Sequence, residues 1–313
     1  MPISGRKHAW VENQKYSTHQ RLNKEYLKNS KDWFEQWLVG MTDGDGTFSI
    51  VRQNNKWSLV YKIALRRYNL RALFYIKKQL GIGSVTKDNN KGQILIRDRK
   101  KLEKYIFPIF DKYPLLTSKQ FNYEKFKQAL FILENNSITK EEKDIKLFEL
   151  KTKSIPNNYI SPVWNNIKLP LKTVNNVSGI ITKPWLVGFI EAEGSFYLVS
   201  KDSTRIVHGF GLTQKLDNIV LEAIGLVLHI STSVKYKSKY NYYILDTTNS
   251  RAIENIIEYF HNTMKGMKAV EYRIWARSYY KDKGNYINLS KVRDILRKMK
   301  TKLLEISYFD RSN

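Results

Sequence analysis

Two segments of ten residues share one pattern of apolar, small and acidic side chains. Residues 37–46 read Trp37-Leu38-Val39-Gly40-Met41-Thr42-Asp43-Gly44-Asp45-Gly46, and residues 185–194 read Trp185-Leu186-Val187-Gly188-Phe189-Ile190-Glu191-Ala192-Glu193-Gly194. The second segment starts 148 residues after the first, and the same spacing relates Phe48 to Phe196, Leu73 to Leu221, Leu80 to Leu228 and Ile82 to Ile230. A solenoid unit is only tens of residues long, so this period predicts two copies of one fold in a single chain.

Each segment is predicted to be a short helix with a stripe of small residues. Gly40 and Gly44 are four residues apart, as are Gly188 and Ala192, and residues with this spacing share a helix face. Because glycine inside a helix costs about 0.5–1 kcal/mol relative to alanine, its presence needs a packing reason. Small side chains let two helix backbones approach closely. We therefore expect these four residues to form the interface between the two domains.

One acid precedes the closing glycine of each segment, Asp45 in the first and Glu193 in the second. Pseudo-twofold packing of the helices brings both carboxylates to the same end of the interface. A helix C terminus carries partial negative charge, so an acid is unfavourable there without a compensating cation. Two solvated acids are the alternative reading. A divalent-metal site fits the pair better, since carboxylate oxygens completed by water and phosphate suit Mg²⁺.

Both segments resemble the LAGLIDADG motif of homing endonucleases, in the form that carries two motifs in one chain. The resemblance covers about residues 33–300. It implies a DNA-cleaving enzyme whose catalytic Mg²⁺ ions are bound by Asp45 and Glu193, with the carbonyls of Gly44 and Ala192 as further ligands. Ca²⁺ is expected to support DNA binding without cleavage. The earlier acids, Asp43 and Glu191, are predicted to be structural residues at the helix ends.

The resemblance also implies polar groups that organise water near each scissile phosphate. A basic residue at the start of the third helix and a polar residue on the second strand have this role. Lys119, Lys268 and Gln214 occupy those positions in this chain. The first-copy partner of Gln214 is Leu65 or Arg66, depending on a one-residue shift, which predicts two unequal half-sites and slower cleavage of one strand.

The composition indicates a polyanionic partner. The chain has 54 Lys+Arg and 29 Asp+Glu, a formal charge of +25, and basic residues occur in both halves. Nucleic acid suits such a surface because phosphate contacts release counterions, although a basic protein without this partner is the alternative. No apolar run reaches the roughly 18 residues of a membrane span, and the lack of cysteine excludes disulfides and thiolate metal sites. Frequent Lys, Asn, Ile and Tyr, which A/T-rich codons encode, predict an organellar gene and a mitochondrial location.

The chain is predicted to contain a basic N-terminal extension (1–30), a first domain (31–150), a linker (151–184) and a second domain (185–313). Four of the seven prolines lie in the linker, whose Trp164 and Leu169 are expected to pack on the domains. Alternating and helical apolar patterns give the order α-β-β-α-β-β-α in each copy. The predicted fold class is α+β, with two pseudo-symmetric αββαββα domains that form an antiparallel β-sheet saddle with helices packed behind it.

The exposed face of the sheets is predicted to bind double-stranded DNA. A strand of about ten residues is about 33 Å long, so two halves span about two turns of the duplex. A one-residue slip would move a side chain to the opposite face, which leaves each assignment open. The candidate contacts are Ser49, Val51, Gln53, Lys62, Arg66, Thr86, Asp88, Gln93 and Arg97 in the first copy, and Tyr197, Val199, Lys201, Thr213, Lys235, Lys237 and Tyr242 in the second.

Two functions are compatible with these features. The leading hypothesis is a monomeric, site-specific endonuclease that cuts both DNA strands, leaves short 3′ overhangs and promotes homing of a group I intron. The alternative is an RNA maturase that assists splicing of its own intron, alone or in addition, with intron RNA as its partner. The presence of Asp45 and Glu193 favours cleavage, because a maturase does not need them.

Overall fold

The computed structural model describes the backbone of residues 30–309 and the side chains of residues 31–299. Apart from its last residue, the predicted extension 1–30 lies outside the described residues. The first copy contains α1 (Ser30–Asp45), β1 (Gly46–Gln53), β2 (Lys56–Arg66), α2 (Leu70–Leu80), β3 (Ser84–Lys87), β4 (Lys91–Ile96), a helical segment α3 (99–112), α4 (Lys119–Glu134) and α5 (Lys140–Thr152).

The second copy repeats this order of helices and strands throughout. It contains α6 (Lys183–Glu193), β5 (Ser195–Ser200), β6 (Ile206–Gln214), α7 (Asn218–Val227), β7 (Lys235–Lys237), β8 (Tyr242–Thr247), α8 (Ser250–Tyr259), α9 (Lys268–Asp282) and α10 (Tyr286–Phe309). The predicted α+β class and the αββαββα order are confirmed.

Two details of the helices differ from the prediction. The helical segment α3 begins at Arg99 and contains a π-helical turn, Leu102–Ile106, which places one extra residue in the turn and which an apolar helical pattern does not predict. Helix α5 was not predicted, because its apolar stripe is thin and Leu147 is its only buried residue. A capping box at Thr139 and Glu142 fixes its start.

The eight strands form two four-stranded antiparallel sheets, one per copy, rather than a single continuous sheet. The strand orders are β1-β2-β4-β3 and β5-β6-β8-β7. Phe48 faces Tyr61 across β1 and β2, and Phe196 faces Phe210 across β5 and β6. These aromatic residues are buried on the helix side of each sheet, which leaves the alternate residues on the outer face.

The linker packs on the domains through only one of its two predicted anchors. The Trp164 side chain is buried and donates a hydrogen bond of 2.9 Å from Nε1 to the carbonyl of Leu116. Leu169 is 53% exposed, so its expected packing is wrong. Among the helices of the described residues, none combines the length and the apolar character of a bilayer span.

Candidate active site and DNA-binding face

Helices α1 and α6 cross at their glycines. A Cβ atom on Gly40 would overlap the carbonyl oxygen of Trp185, and one on Gly188 would overlap the carbonyl oxygen of Trp37. One turn further along, a Cβ on Gly44 would overlap the Cβ of Ala192. The structure therefore places the four predicted interface residues where the two backbones come closest. This contact fixes the relative position of the two helix C termini.

The close crossing brings Asp45 and Glu193 together at the end of the interface. A Cβ on Gly44, the neighbour of Asp45, would lie 3.2 Å from Cγ of Glu193. Burial raises the pKa of both carboxyl groups, and the charge of Asp45 raises the pKa of Glu193 further. Two like charges held in a partly dehydrated site are stabilised by a cation between them.

A lysine from each copy reaches this carboxylate pair. Nζ of Lys119, at the start of α4, donates hydrogen bonds to the carbonyls of Thr42, at 3.1 Å, and of Gly44. Nζ of Lys268, at the start of α9, donates a hydrogen bond of 2.7 Å to the carbonyl of Gly194. Burial lowers the pKa of Lys119, while the surrounding carboxylates Asp43, Asp45, Glu193 and Asp217 oppose that shift.

The donor set suits a small divalent cation. Asp45 and Glu193 supply two carboxylates, and no group of three or more His, Cys, Asp or Glu in the described part of the chain could hold a metal ion. A site with few protein ligands that leaves room for water and phosphate fits Mg²⁺. The Gly44 carbonyl, an expected further ligand, instead accepts the Lys119 ammonium in this structure. The Ala192 carbonyl remains a predicted ligand.

The strand register resolves the open assignment of the residue that corresponds to Gln214. Counting four residues on from Tyr61 in β2 and from Phe210 in β6 pairs Leu65 with Gln214. Leu65 is buried, whereas the Gln214 side chain hydrogen-bonds Glu193 and lowers the pKa of its carboxyl. The first copy therefore lacks the polar side chain that the second copy has on its second strand.

Asp43 and Glu191 are structural residues, as predicted from their position. Asp43 accepts hydrogen bonds from the backbone N–H groups of Leu116, at 3.0 Å, and Thr117, at 3.1 Å. Glu191 accepts the equivalent bonds from Lys265 and, at 2.9 Å, Gly266. Both carboxylates are buried, and each holds the loop that precedes one of the two lysines beside Asp45 and Glu193.

Two residues that the sequence reasoning missed complete these loops. Asp217 accepts a hydrogen bond of 2.7 Å from the N–H of Ser118, and Oδ1 of Asn69 accepts one of 2.8 Å from the N–H of Met267. Asn69 and Asp217 are related by the same spacing of 148 as the two motifs. That spacing, applied to every polar residue, would have identified the pair.

The predicted DNA-contact residues share the outer faces of the two sheets. Lys62 lies opposite Thr47, and Gln93 lies opposite Thr86, to whose hydroxyl it donates a hydrogen bond of 3.2 Å. Asp88 is a turn residue whose Oδ1 accepts two backbone N–H groups. The other first-copy candidates are Ser49, Val51, Gln53 and Arg66 on this face and Arg97 directly after β4.

The outer face of the second copy has an aromatic and basic character. The Tyr197 ring lies across Gly209, where even a methyl group would collide with it. Lys235 pairs with Ile244, and Lys237 pairs with Tyr242. Both lysines are exposed. The remaining candidates are Val199 and Thr213 on the same face and Lys201 in the turn after β5.

Comparisons with known proteins agree with this architecture. The family model described as LAGLIDADG endonuclease matches residues 38–130 and 186–279. The chain is 42% identical over 284 residues to the probable intron-encoded endonuclease Cox1-I1b of Schizosaccharomyces pombe, covering 87% of this chain and 71% of that protein. It is 36% identical over 217 residues to the uncharacterized mitochondrial protein RF1 of Saccharomyces cerevisiae, covering 68% of this chain and 42% of that protein.

Solved structures share the fold. The I-SmaMI LAGLIDADG homing endonuclease bound to cleaved DNA has a TM-score of 0.69 and 25% identity, with 85% of this chain and 95% of that chain covered. I-SmaMI bound to an uncleaved DNA target in the presence of calcium ions has a TM-score of 0.67 and 23% identity, with 85% and 97% covered. From the two matched motif regions and the curated relatives, the chain belongs to the LAGLIDADG endonuclease family.

Proposed function

We propose that the protein is a metal-dependent, site-specific endonuclease that cuts both strands of DNA at the interface between its two copies. The observation that carries this proposal is the half-buried pair Asp45 and Glu193, with one lysine from each copy beside it. A protein that only binds RNA, the maturase alternative, has no need for such a pair. The DNA-bound state of the related I-SmaMI structure supports a DNA substrate.

The cofactor is a divalent metal ion, with Mg²⁺ as the physiological ion. The related I-SmaMI complex with uncleaved DNA, in the presence of calcium ions, supports a divalent metal ion. Asp45 and Glu193 would hold the metal, which supplies Lewis-acid stabilisation of the charge that develops on the phosphate. Lys119 and Lys268 add positive charge at the same place. Gln214 orients Glu193 and hydrogen-bonds water near one phosphate.

The DNA lies on the outer faces of the two sheets. Their exposed basic residues neutralise phosphates along the duplex, and their polar and aromatic side chains contact base edges. Each half of the protein contacts about one helical turn, so the target spans about two turns. Cutting across the minor groove between the two halves leaves short 3′ overhangs.

The biological role is homing of a group I intron in a mitochondrial genome. The relatives named for an intron-encoded endonuclease and for a mitochondrial protein support this role. The frequent use of amino acids with A/T-rich codons supports this role independently.

Selection of cleaved sites from a randomised DNA library tests the function. The purified protein is incubated with the library in Mg²⁺, and cut molecules are ligated to adapters and sequenced. We expect enrichment of one sequence about two turns long with cuts on both strands. Absence of any enriched cleaved site in Mg²⁺ or Mn²⁺, from protein that binds DNA, would exclude the proposed activity.

A further inference from the structure

Three consecutive backbone N–H groups precede each active-site lysine, and all six have side-chain acceptors. In the first copy, Leu116 and Thr117 donate to Asp43, and Ser118 donates to Asp217. In the second copy, residues 265 and 266 donate to Glu191, and residue 267 donates to Asn69. The two loops are therefore held by the same arrangement.

The acceptors come from both copies. Asp43 and Glu191 belong to the copy whose loop they hold, whereas Asp217 holds the loop of the first copy and Asn69 holds the loop of the second. Both crossing residues stand at the N-cap position of the helix that follows the second strand of their own sheet. Each copy therefore supplies one side chain that accepts a hydrogen bond from the loop of the other copy.

Asn69 and Asp217 supply side-chain acceptors at the starts of helices that have none from their own N-cap residue. In neither α4 nor α9 does a backbone N–H donate a hydrogen bond to the side chain of the N-cap residue. An N–H group at a buried helix start needs an acceptor, and one left without a partner costs about 1–3 kcal/mol. Asp217 accepts both the N–H of Ser118 and, at 2.9 Å, its hydroxyl. The opposite copy therefore supplies the acceptor for the N–H of the N-cap residue of each helix.

Two local features show that these contacts are closely fitted. A Cβ on Gly266 would overlap Oδ1 of Asn69 and would lie 3.0 Å from Oε2 of Glu191, so only glycine fits there. Asp217 has a left-handed backbone conformation with φ of 63°. Non-glycine residues keep such a conformation where surrounding contacts fix them. The backbone of Asp217 is held in a position from which its carboxylate reaches Ser118.

The lysine follows directly after the held residue in both copies. Lys119 is the neighbour of Ser118, and Lys268 is the neighbour of Met267. A movement of the helix start therefore displaces the ammonium group at the carboxylate pair. Displacement of a reacting group by about 1 Å can reduce a rate about 10²-fold.

We propose that Asn69 and Asp217 are reciprocal positioning residues, each of which fixes the start of the helix that presents the active-site lysine of the opposite copy. Each half-site is then complete only when the two copies are docked. The proposal deepens the endonuclease function proposed above and rests on it.

Hydrogen exchange of the free protein tests the contact without any catalytic step. Asp217→Ala should increase amide exchange at 116–119 at least about tenfold and leave 265–268 within about twofold of the parent. Asn69→Ala should do the reverse. Asn218→Ala, an exposed neighbour of Asp217, should change neither segment. Equal exchange at both segments in both variants would overturn the reciprocal contact.

Strand-resolved cleavage tests the consequence for the reaction. The probe is the duplex recovered from the randomised library with the parent protein, labelled with a different fluorophore on each strand. In single-turnover reactions, Asp217→Ala should slow one strand at least about tenfold and Asn69→Ala should slow the other. The unaffected strand should stay within about twofold in each case. General destabilisation would slow both strands together.

Two further variants separate positioning from folding. Asp217→Asn should restore the slowed strand to within about threefold of the parent, because an amide oxygen already accepts the equivalent bond at Asn69. Asp217→Gly removes the side chain while suiting the left-handed backbone, so it tests the same loss if the alanine variant does not fold. If the parent cuts but the variants slow both strands equally, only the positioning role is overturned. If the parent cuts no DNA, the endonuclease function itself is wrong.

Discussion

The indole nitrogen of Trp185 donates a hydrogen bond of 2.8 Å to Oδ2 of Asp43. This bond joins the start of the second motif helix to the end of the first. Asp43 also accepts the Thr117 hydroxyl at 2.6 Å and two backbone N–H groups. Burial raises the pKa of its carboxyl, and these donors oppose that shift. Asp43 therefore connects the interface helices to the loop that carries Lys119.

Replacement of Asp43 by alanine should destabilise the whole protein. It leaves several buried donors without an acceptor, each at a cost of about 1–3 kcal/mol, so we expect a loss of at least about 3 kcal/mol in the free energy of unfolding. Urea unfolding followed by circular dichroism measures this loss. Glu149→Ala removes an exposed acid from α5 and should stay within about 0.5 kcal/mol of the parent. Similar losses for the two variants would show that Asp43 is not a structural anchor.

Removal of one carboxylate from the metal site should stop the chemistry and preserve binding. Asp45→Asn and Glu193→Gln each remove a charged oxygen ligand of the proposed metal site, so we expect no detectable double-strand cleavage in Mg²⁺. DNA affinity should remain within about tenfold, because it comes mainly from the basic outer faces. Glu103→Gln, an exposed acid on α3, is the control and should cut normally. Parent protein in Ca²⁺ should bind without cutting. Efficient cleavage by the Asp45→Asn/Glu193→Gln double variant would exclude the metal site.

The salt dependence of DNA affinity should show whether basic residues of the outer face contact phosphates. Lys62→Ala and Arg66→Ala each remove one positive side chain from that face, so the slope of log affinity against log salt should decrease by up to about 0.9 for each phosphate that is no longer neutralised. Anisotropy of a labelled target duplex at several KCl concentrations measures the slope. Lys146→Ala on α5, away from the sheet face, should keep the parent slope. An unchanged slope in the Lys62→Ala/Arg66→Ala double variant would place the DNA elsewhere.

The glycine crossing should tolerate no methyl group. Gly40→Ala introduces a Cβ into the backbone of the opposite helix, and such overpacking typically costs about 1–3 kcal/mol. The rate of cleavage should fall further than stability, since Asp45 and Glu193 both depend on the spacing of these helices. Gly179→Ala is a matched control, because no atom lies within 4 Å of its added Cβ. The melting temperature and the single-turnover cleavage rate of both variants test this prediction. Equal behaviour of the two variants would contradict the close crossing.

The predictable parts of the fold are those that occur in both copies of the repeat. The motif helices, the carboxylates Asp45 and Glu193 and the two hairpins per copy follow from aligned positions and from alternation. Helix α5 buries a single leucine, so no periodic apolar signal marked it. Asp217 at the start of a helix resembles an ordinary turn residue. Its partner Ser118 is 99 residues away, a distance that local patterns do not span.

The sequence pattern also could not determine the register of the second strand. A shift of one residue exchanges the faces of a strand, and both Leu65 and Arg66 were compatible with the pattern. The pairing of Phe48 with Tyr61 places Leu65 on the buried face and leaves Arg66 exposed on the outer face. Cross-strand contacts, which the sequence does not contain locally, decided the assignment.

His208 should make the protein less stable in mild acid. Its side chain is 3% exposed in β6, with Nε2 lying 2.8 Å from the Ser278 hydroxyl. Burial lowers the pKa of His208 from 6.5 to about 4, and the charge of Lys283 acts in the same direction. Between these two values the unfolded chain binds a proton that the folded chain does not. Stability from this residue is therefore fully present above pH 6.5 and is lost as the pH falls towards 4.

His208→Gln keeps a polar side chain beside Ser278 but removes the titration. One pKa unit corresponds to about 1.4 kcal/mol, so the parent should lose about 2 kcal/mol more than the variant between pH 7 and pH 4.5. Urea unfolding of both proteins at the two pH values measures this difference. His261→Gln, which replaces an exposed histidine, should retain the pH dependence of the parent. If His208→Gln loses as much stability in acid as the parent, the imidazole of His208 is not held neutral by burial, and another group causes the acid sensitivity.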